Sequence, residues 1–421
     1  IARSAALGSA TPEGWLWALC IMQQSVASVE GSMSSDLSMK VFRGSDGGLH
    51  PVLMYRGVPL VLPNLWVDDL SLTSRFNTQK AYLQDVLGLY RWAERVGVSI
   101  HESFASLRGL PRGALKSAAV SMCTRKDGER ASQMTCTRKA QALRSFFNFG
   151  FDYFLSKKSL SFFDQRQCER NRDALLAKID KQFVMRSRQG EQTTHTTELK
   201  EEQLASLERV LSPQSELNPF RDLGLRVRNY CIWRTMLATG ARRAEIALLE
   251  LDDLNLGEQP TITIRRPSPT AVNRRLDGAN LKTEQRILPI RESLAELLAT
   301  YVEDWRVRHI RPQHPSPALF LSARDGRRLF SSSINKVLSC AAACAAEVGL
   351  TQRVHPHCLR TTALNALSRK ARDESGRLNS EFRDQLTYFA GWSPHSDMPL
   401  TYTREALSDA LGALLRAKRK P

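Results

Sequence analysis

The hydrophobic pattern of this chain changes across one polar stretch, residues 186–197 ("RSRQGEQTTHTT"), which has no apolar periodicity and contains Gly190. Before this stretch apolar residues recur at helical spacing, and after it helical segments alternate with short strand-like runs. A polar stretch at such a change is typical of an exposed linker between domains. Because 421 residues exceed what one hydrophobic core usually serves, two or three domains are favoured over one.

The first half predicts a helical domain over residues 74–185. In "SRFNTQKAYLQDVLGLYRWAER" the apolar residues fall at helical spacing, with Ser74 or Asn77 as the N-cap. The same period returns in "TRKAQALRSFFNFGFDYFLSKK", and a third helix is expected at 164–182. Residues 39–73 alternate short apolar pieces with Gly and Pro and are expected to form an irregular arm. The first 38 residues are expected to be a poorly ordered leader, which an over-extended start would explain.

The second half predicts a mixture of helices and a few short strands. Strands are expected at 261–266 and 285–290, with a short strand or extended turn at 318–322. Helices are expected at 200–211, 221–238, 243–250 and 292–305, and again from about 332 to the end. The predicted fold class is therefore mainly α with a small β-sheet. The tail "EALSDALGALLRAKRKP" has the pattern of an amphipathic helix that ends in a basic cluster.

The composition points to a polyanionic partner. Lys and Arg number 60 against 43 acidic residues, which gives a net charge of +17, and nucleic acid is the commonest partner of such a field. The eight cysteines form no CxxC pair, so the sequence indicates neither a zinc ribbon nor a disulfide framework, and a cytoplasmic, nucleoid-associated protein is expected. No run is apolar enough to predict a membrane span, and no GxxxxGK[ST] loop is present. No metal and no cofactor are expected.

Four separated pieces of the second half carry groups suited to chemistry on a phosphodiester. Each also has an ordinary structural explanation, such as solvated charges, an exposed hairpin lysine, a helix cap or a core aromatic. The pieces are "ATGARRAEIALLELDDL" with Arg242, Arg243 and Glu245; "NLKTEQRILPI" with Lys282; "VHPHCLRTTALNAL" with His357 and Arg360; and "AGWSPHSDMPLTYTREAL" with Trp392 and Tyr402.

Together, in this order and on a basic chain, the four pieces resemble the catalytic domain of the tyrosine recombinases, the family of phage and mobile-element integrases. The resemblance covers residues 195–421 through these motifs, and 62–185 more loosely as the family's α-helical core-binding (SAM-like) domain. It implies a mixed α+β tyrosine-recombinase catalytic domain over 198–421, which ends in an oligomerisation helix.

The resemblance also implies a role for each motif residue. Arg242, with Arg243 as the fallback, matches the first catalytic arginine, and Glu245 matches the acid that braces it. Lys282 matches the hairpin lysine, and His357 and Arg360 match the histidine and the second arginine. Trp392 stands where many members have histidine, and Tyr402 matches the nucleophile. Tyr388, with apolar neighbours, is expected in the core and is the weaker candidate for the nucleophile.

These residue types suit the reaction on chemical grounds. A phosphodiester attacked by a phenol passes through a pentacoordinate state with extra negative charge, which two fork-shaped guanidiniums can hold. A histidine can bond the same phosphate or take the phenol proton, a lysine can protonate the departing 5′ oxygen, and an indole N–H can donate one hydrogen bond. Because the phosphotyrosine link retains the bond energy, neither ATP nor metal is needed.

Two features depart from the family pattern. Thr361 follows Arg360 where many relatives carry a second histidine, and the chain between Arg360 and Trp392 is longer than usual. Further contacts to DNA are expected from eight basic residues, namely Arg138, Lys139, Arg144, Arg243, Arg265, Arg266, Arg274 and Arg275.

The resemblance implies a site-specific recombinase that acts on double-stranded DNA attachment sites through a 3′-phosphotyrosine intermediate. Four protomers would assemble on synapsed DNA, with room for accessory DNA-bending proteins. Two alternatives stay open at this point. One is a type IB topoisomerase-like enzyme that relaxes DNA as a monomer, and the other is a DNA-binding regulator that keeps the fold without cleavage.

Overall fold

A computed structural model describes residues 36–44, 48–183, 198–266, 283–350, 354–370, 380–396 and 398–399 of the chain. The chain divides into two compact units, Ile1–Glu191 and Gln192–Pro421. Both units are built mainly of helices, and each contains one small antiparallel sheet of three strands. The predicted fold class is therefore confirmed. The predicted leader up to residue 35, the linker and the C-terminal helix lie outside the described residues.

The first unit opens with a β-meander where the sequence predicts an irregular arm. Strands β1 (Leu37–Arg43), β2 (Leu49–Tyr55) and β3 (Val58–Pro59) pair in order, with Leu37 opposite Tyr55 and Met54 opposite Pro59. Arg56 and Gly57 both have positive φ and form the two-residue turn between β2 and β3, a geometry that matches the twist of a hairpin. The expectation of irregular structure at 39–73 was wrong, because Gly57 makes a hairpin turn between strands and Val61–Ser71 forms a helix, while the role of this stretch as an arm stays a prediction.

Six helices follow within the described part of this unit, and they pack around aromatic side chains. The Phe104 ring lies 5.1 to 6.0 Å from the rings of Phe146, Phe147 and Phe151, and all four side chains are buried. Large rings in edge-on and tilted contact provide most of the apolar area of such a core. The helices are α1 (Val61–Ser71), α2 (Phe76–Val96), α3 (Ile100–Ala105), α4 (Ala114–Cys123), α5 (Gln133–Leu155) and α6 (Phe162–Phe183).

Two details differ from the prediction. Arg75, rather than Ser74 or Asn77, is the N-cap of α2, and no side-chain cap is formed there. The short helices α3 and α4 were not predicted, because neither is long enough to show a clear period.

The second unit surrounds a three-stranded sheet of β4 (Leu254–Asn255), β5 (Thr261–Ile264) and β6 (Arg286–Pro289). Its helices are α7 (Glu201–Leu211), α8 (Leu223–Thr239), α9 (Arg243–Leu248), α10 (Glu292–Thr300), α11 (Ser331–Ala346), α12 (Pro356–Lys370) and α13 (Ser380–Ala390). Single-turn helices of other types occupy Leu251–Asp253, Tyr301–Trp305 and Arg306–His309. The expected strand at 318–322 makes two isolated bridges, Glu250 with Ala318 and Leu321 with Arg328.

The core of the second unit fixes the carboxyl end of α8. Trp233 and Met236 on α8 are buried with Ile262 of β5 and Leu288 of β6. Because α8 packs against α12 and shares this core with the sheet, the turn that follows α8 has a defined position. None of the helices in the described ranges is both long and apolar enough to cross a membrane.

Substitution by alanine is expected to have opposite effects on stability at two glycines inside helices, Gly150 on α5 and Gly88 on α2. A Cβ at Gly150 would lie 2.5 to 2.7 Å from three atoms of the buried Phe104 ring, whereas one at Gly88 would meet Met122 at 3.6 Å. We expect Gly150→Ala to lower the free energy of unfolding by about 1–3 kcal/mol through overpacking. Gly88→Ala should raise it by about 0.5–1 kcal/mol, since alanine favours the helix. Denaturant unfolding of the whole chain measures both; a stabilising Gly150→Ala would contradict the packing described here.

Candidate active site

A glycine turn places Arg242 at the start of α9. Gly240 ends α8 with φ of +57°, and a Cβ there would lie 2.9 Å from the ring of Phe389. The residue must therefore be glycine for conformational and steric reasons. Arg242 then forms the N-cap of α9, and its backbone N–H donates to Glu245 Oε2 at 2.9 Å. The side chain of Arg242 is 30% exposed, so a ligand can reach its guanidinium.

Glu245 is a buried carboxylate with several donors. Arg286 Nη2 donates to Oε2 at 2.8 Å, Thr283 Oγ1 donates to Oε1 at 2.7 Å, and Arg242 Nη1 lies 3.4 Å from Oε1. Burial opposes ionisation of this carboxyl, but the charge and hydrogen bond of Arg286, together with the bonds from Thr283 and the Arg242 N–H, outweigh burial and lower its pKa. Glu245 is therefore favoured in its ionised form and bonds Arg242, and its role as the brace of a catalytic arginine stays a prediction.

Arg286 joins the sheet to the turn after α13. Its side chain is 1% exposed, as is that of Glu245, and its Nε donates to the carbonyl of Phe389 at 2.9 Å. Gly391, at φ of +64°, follows α13, and a Cβ there would lie 2.5 Å from Arg286 Nη1. The backbone N–H of Glu284 also donates to the Gly391 carbonyl at 3.3 Å. Strand β6 and the Gly391 turn are thus fixed to each other.

The sequence analysis did not identify Arg286 or Thr283 as site residues. A signal was present, since Arg286 and Leu288 are two apart on a strand and therefore share a face, and Leu288 is buried. An arginine on the buried face of a strand requires an acidic partner, and Glu245 is that partner.

Arg360 lies at the meeting point of three elements. It is on α12, is 1% exposed, and donates from Nη1 to the Gly240 carbonyl at 2.7 Å and from Nη2 to the Ala390 carbonyl at 2.8 Å. Its guanidinium carbon lies 5.6 Å from the centre of the Trp392 ring. Arg360 therefore holds the end of α8 close to the end of α13.

Trp392 is packed rather than free on a loop. It is buried with Leu364 of α12 and with Phe382 and Leu386 of α13. Its backbone N–H donates to the Thr387 carbonyl at 3.0 Å, which completes the turn through Gly391. The indole ring consequently forms one wall beside the Arg360 guanidinium.

His357 lies one turn before Arg360 on α12, and its ring stacks on that of His355 with 6.5 Å between centroids. Partial burial lowers the pKa of His357, and the positive charges of Arg360, His355 and Arg242 lower it further. A neutral imidazole at pH 7 can accept a proton or a hydrogen bond. Thr361, where relatives carry a second histidine, donates its hydroxyl to the His357 carbonyl at 3.0 Å.

The structure therefore brings together five of the predicted site residues: Arg242, Glu245, His357, Arg360 and Trp392. Lys282 and Tyr402, and the basic residues Arg274 and Arg275, lie outside the described residues. Thr283, the residue directly after Lys282, is described and contacts Glu245.

Tyr388 is not the core residue that the sequence suggests. Its side chain is 53% exposed, and its hydroxyl accepts from the Ile287 N–H at 2.9 Å and lies 3.3 Å from the Ile287 carbonyl. The prediction was wrong because Tyr388 is on the face of α13 that lies along the edge of β6, where its phenol bonds the main chain.

Several predicted DNA contacts have intramolecular partners. In the first unit Arg138 pairs with Asp85, Lys139 donates to the Met122 carbonyl, and Arg144 pairs with Asp180. In the second unit Arg265 pairs with the buried Asp253, while Arg243 and Arg266 are exposed. A role in DNA contact stays a prediction for all of them.

Among the residues that the structure describes, no group of three or more His, Cys, Asp or Glu side chains is placed to hold a metal ion. The guanidiniums of Arg242 and Arg360, the His357 imidazole and the Trp392 indole N–H are groups that can donate hydrogen bonds to a phosphate.

Comparison with known proteins supports the class of fold. The second unit has the fold of a tyrosine recombinase catalytic domain. Residues 199–375 match the model of the phage integrase family. No curated protein matches the chain.

The solved structure of one integrase supports the class of fold, and two recombinases are similar over much of the chain. The integrase of the Tn1549 transposon (residues 82–397), in complex with circular intermediate DNA, is 16% identical with a TM-score of 0.53, over 84% of this chain and 98% of that chain. XerH site-specific recombinase bound to palindromic difH substrate is 16% identical with a TM-score of 0.48, over 80% of this chain and 78% of that one. XerA recombinase is 17% identical with a TM-score of 0.38, over 86% of this chain and 99% of that chain.

The Glu245–Arg286 pair predicts a large loss of stability when one partner is neutralised. In Glu245→Gln the buried Arg286 charge loses its counter-ion, and we expect the free energy of unfolding to fall by about 3–5 kcal/mol. Glu208→Gln is the matched control, because the side chains of its 3.3 Å pair with Arg234 are 45% and 37% exposed, and such a pair should contribute less than about 1 kcal/mol. Denaturant unfolding distinguishes them, and equal losses would show that Glu245 is not a buried counter-ion.

The lowered pKa of His357 predicts a pH dependence of stability. Because the folded-state pKa lies below the unfolded value of about 6.5, the unfolded chain binds the proton first as pH falls, and acid therefore destabilises the folded state. Between the lowered folded-state pKa and the unfolded-state pKa of about 6.5, we expect the free energy of unfolding to rise with pH more steeply in the wild type than in His357→Gln. Unfolding curves from about pH 5 to about pH 8 measure the difference, and parallel curves would refute it.

Proposed function

We propose that this protein is a site-specific DNA recombinase or integrase that cleaves and rejoins strands through a 3′-phosphotyrosine intermediate. The observation that carries the proposal is the convergence of Arg242, His357, Arg360 and Trp392 around one Glu245-braced frame. Two arginines, a neutral histidine and an indole suit a phosphodiester whose charge grows during attack by a phenol. The match of residues 199–375 to the model of the phage integrase family supports the same reaction.

Arg242 and Arg360 are proposed to hold the scissile phosphate in different ways. Arg242 is partly exposed and is fixed by Glu245, so it meets an incoming phosphate without rearrangement. Arg360 is 1% exposed and donates to two main-chain carbonyls. A phosphate can reach it only when neighbouring groups move aside, and its donors then pass from neutral carbonyls to an anionic oxygen, which is the stronger acceptor.

Tyr402 is proposed as the nucleophile. A bond forms between its phenolic oxygen and phosphorus while the bond from phosphorus to the 5′ oxygen breaks. The phenol proton passes to His357, which its positive neighbours keep neutral, and Lys282 gives a proton to the departing 5′ oxygen. Trp392 packs against Arg360 and can donate one hydrogen bond to the phosphate. Attack by a free 5′ hydroxyl on the phosphotyrosine reverses these steps and joins strands.

The substrate is proposed to be a pair of double-stranded attachment sites, held by four protomers, with accessory DNA-bending proteins where the sites require them. The solved Tn1549 integrase is in complex with circular intermediate DNA, and the analogy with that protein rests on fold. A net charge of +17 agrees with a DNA partner and with action at the nucleoid.

The test is covalent capture on suicide DNA. The protein is incubated with nicked duplexes of randomised sequence, from which a short strand is lost after cleavage, and adducts that resist denaturation are counted and sequenced. We expect adducts from the wild type and from Tyr388→Phe, and none from Tyr402→Phe. Tyr388→Phe is the matched control, because it removes the other phenol near the site.

Two outcomes would contradict the proposal. Adducts lost in Tyr388→Phe but kept in Tyr402→Phe would make Tyr388 the nucleophile. A wild-type protein that binds the duplexes but forms no adduct would be a DNA-binding protein without cleavage.

A further inference from the structure

Two phenylalanines are exposed at the start of helix α6. The side chains of Phe162 and Phe163 are 77% and 72% exposed. Both belong to a set of residues that recurs at helical spacing on one side of α6, away from the side that this helix buries in its own unit. We call this set the α6 face, and its members line a shallow depression: Phe162, Phe163, Arg166, Glu169, Arg170 and Asp173. Adjacent exposed rings with charged neighbours are typical of an interaction surface.

The positive charges of the α6 face are available to a partner. Arg166 lies over the Phe162 ring, with 5.5 Å between its guanidinium carbon and the ring centre, and Arg170 donates to the Gln167 amide oxygen at 2.9 Å. Neither of these contacts supplies a negative charge. Asp173, by contrast, lies 3.2 Å from the guanidinium of the arginine before it and is therefore paired. The α6 face thus presents two rings together with two arginine charges.

The same unit carries a shallow groove between helices α1 and α5 that contains two carboxylates. We call it the acidic groove, and its lining residues are Leu65, Asp68, Asp69, Ser71, Leu72, Phe149 and Tyr153. Leu72 is 83% exposed, and the rings of Phe149 and Tyr153 stack with 6.1 Å between their centres. The acidic groove therefore combines aliphatic and aromatic surface with negative charge, which is the complement of the α6 face.

The carboxylates of the acidic groove would be stabilised by a cation. Partial burial raises the pKa of Asp68, His50 opposes this effect, and the like charge of Asp69 adds to it. A guanidinium beside both carboxylates offsets their repulsion and can donate to them in pairs. Lys157 stands next to the same groove, with its ammonium 4.0 Å from the centre of a ring that lines it. Glu169 on the α6 face is the matching negative group.

We propose that the α6 face of one copy of this chain docks into the acidic groove of a second copy. Phe162 and Phe163 cover the apolar surface of the groove. Arg166 and Arg170 meet its two carboxylates. Because two different surfaces form the contact, it is head to tail, and a closed ring of copies leaves no groove empty. The contact uses none of the candidate active-site residues, so it can fail while the proposed reaction stands.

DNA is the other partner that exposed rings and arginines suit. The charges favour a second copy instead. Glu169 and Asp173 place carboxylates on the α6 face itself, where they would repel a phosphate backbone. A protein surface that carries both signs of charge can match this pattern, and the acidic groove with Lys157 beside it is such a surface.

An exchange of charge between the two surfaces tests the proposal. The groove variant carries Asp68→Arg and Asp69→Arg, and the face variant carries Arg166→Glu and Arg170→Glu. Either variant alone sets like charges against each other between identical copies, and we expect its association to weaken at least about 10-fold. In an equimolar mixture the unchanged surfaces fit each other, and so do the two reversed ones. The mixture should therefore associate as the wild type does.

Sedimentation velocity of the full chain without DNA, over a series of concentrations, measures the association. All four substituted side chains are exposed, so the variants should fold, which circular dichroism checks. The matched control carries Lys116→Glu and Lys178→Glu, because these reverse two exposed charges of the same unit outside both surfaces. The control should associate as the wild type does. If a double variant fails to fold, Asp69→Arg and Arg166→Glu are exchanged as single substitutions.

The results that would overturn the proposal are distinct. A wild-type chain that stays monomeric throughout the series would do so, and so would a mixture that stays monomeric while the wild type associates. Equal weakening in the control would show a general effect of charge rather than this contact. A monomeric wild type whose affinity for DNA falls in the face variant would assign the α6 face to DNA.

Discussion

The buried ion pair between Glu245 and Arg286 is the interaction on which the candidate site depends. Two charges removed from water carry a large desolvation cost, which is offset only when their geometry is good and their remaining groups are hydrogen-bonded. Here the carboxylate also accepts from Thr283 and from the Arg242 main chain, and the guanidinium also donates to the Phe389 carbonyl. The pair therefore specifies one arrangement of strand β6, helix α9 and the turn after α13.

Two glycines make that arrangement sterically available. Gly240 and Gly391 have positive φ, and each lies where a side chain would collide with a neighbour: Phe389 in one case and Arg286 in the other. Each glycine ends a helix, and Arg360 bridges the two helix ends by donating to the carbonyls of Gly240 and Ala390. Close approach of the two helix ends is what places Arg360 against Trp392.

The two arginines of the candidate site differ in their exposure to solvent. Arg242 is partly exposed, whereas Arg360 is covered, and both lower the pKa of His357 together with partial burial and His355. A bound phosphate would offset these charges and favour protonation of the same imidazole. In the proposed reaction, the His357 imidazole would be neutral before the phosphate binds and more basic once the phosphate is present, which suits a group that accepts a proton.

The sequence by itself determined the residue types and their order. The order of four short motifs, through the resemblance to tyrosine recombinases, singled out Arg242, Glu245, His357 and Arg360. Periodicity predicted most of the longer helices of both units, since it is a property of neighbouring residues. Tertiary structure decided what depends on contacts between distant residues. Arg286 and Glu245 are 41 positions apart, and the environments of Arg286, Tyr388 and the meander at the start of the first unit depend on partners that no local period reveals. Burial and pairing of a charge are decided by the packed neighbours, and those exist only once the chain has folded.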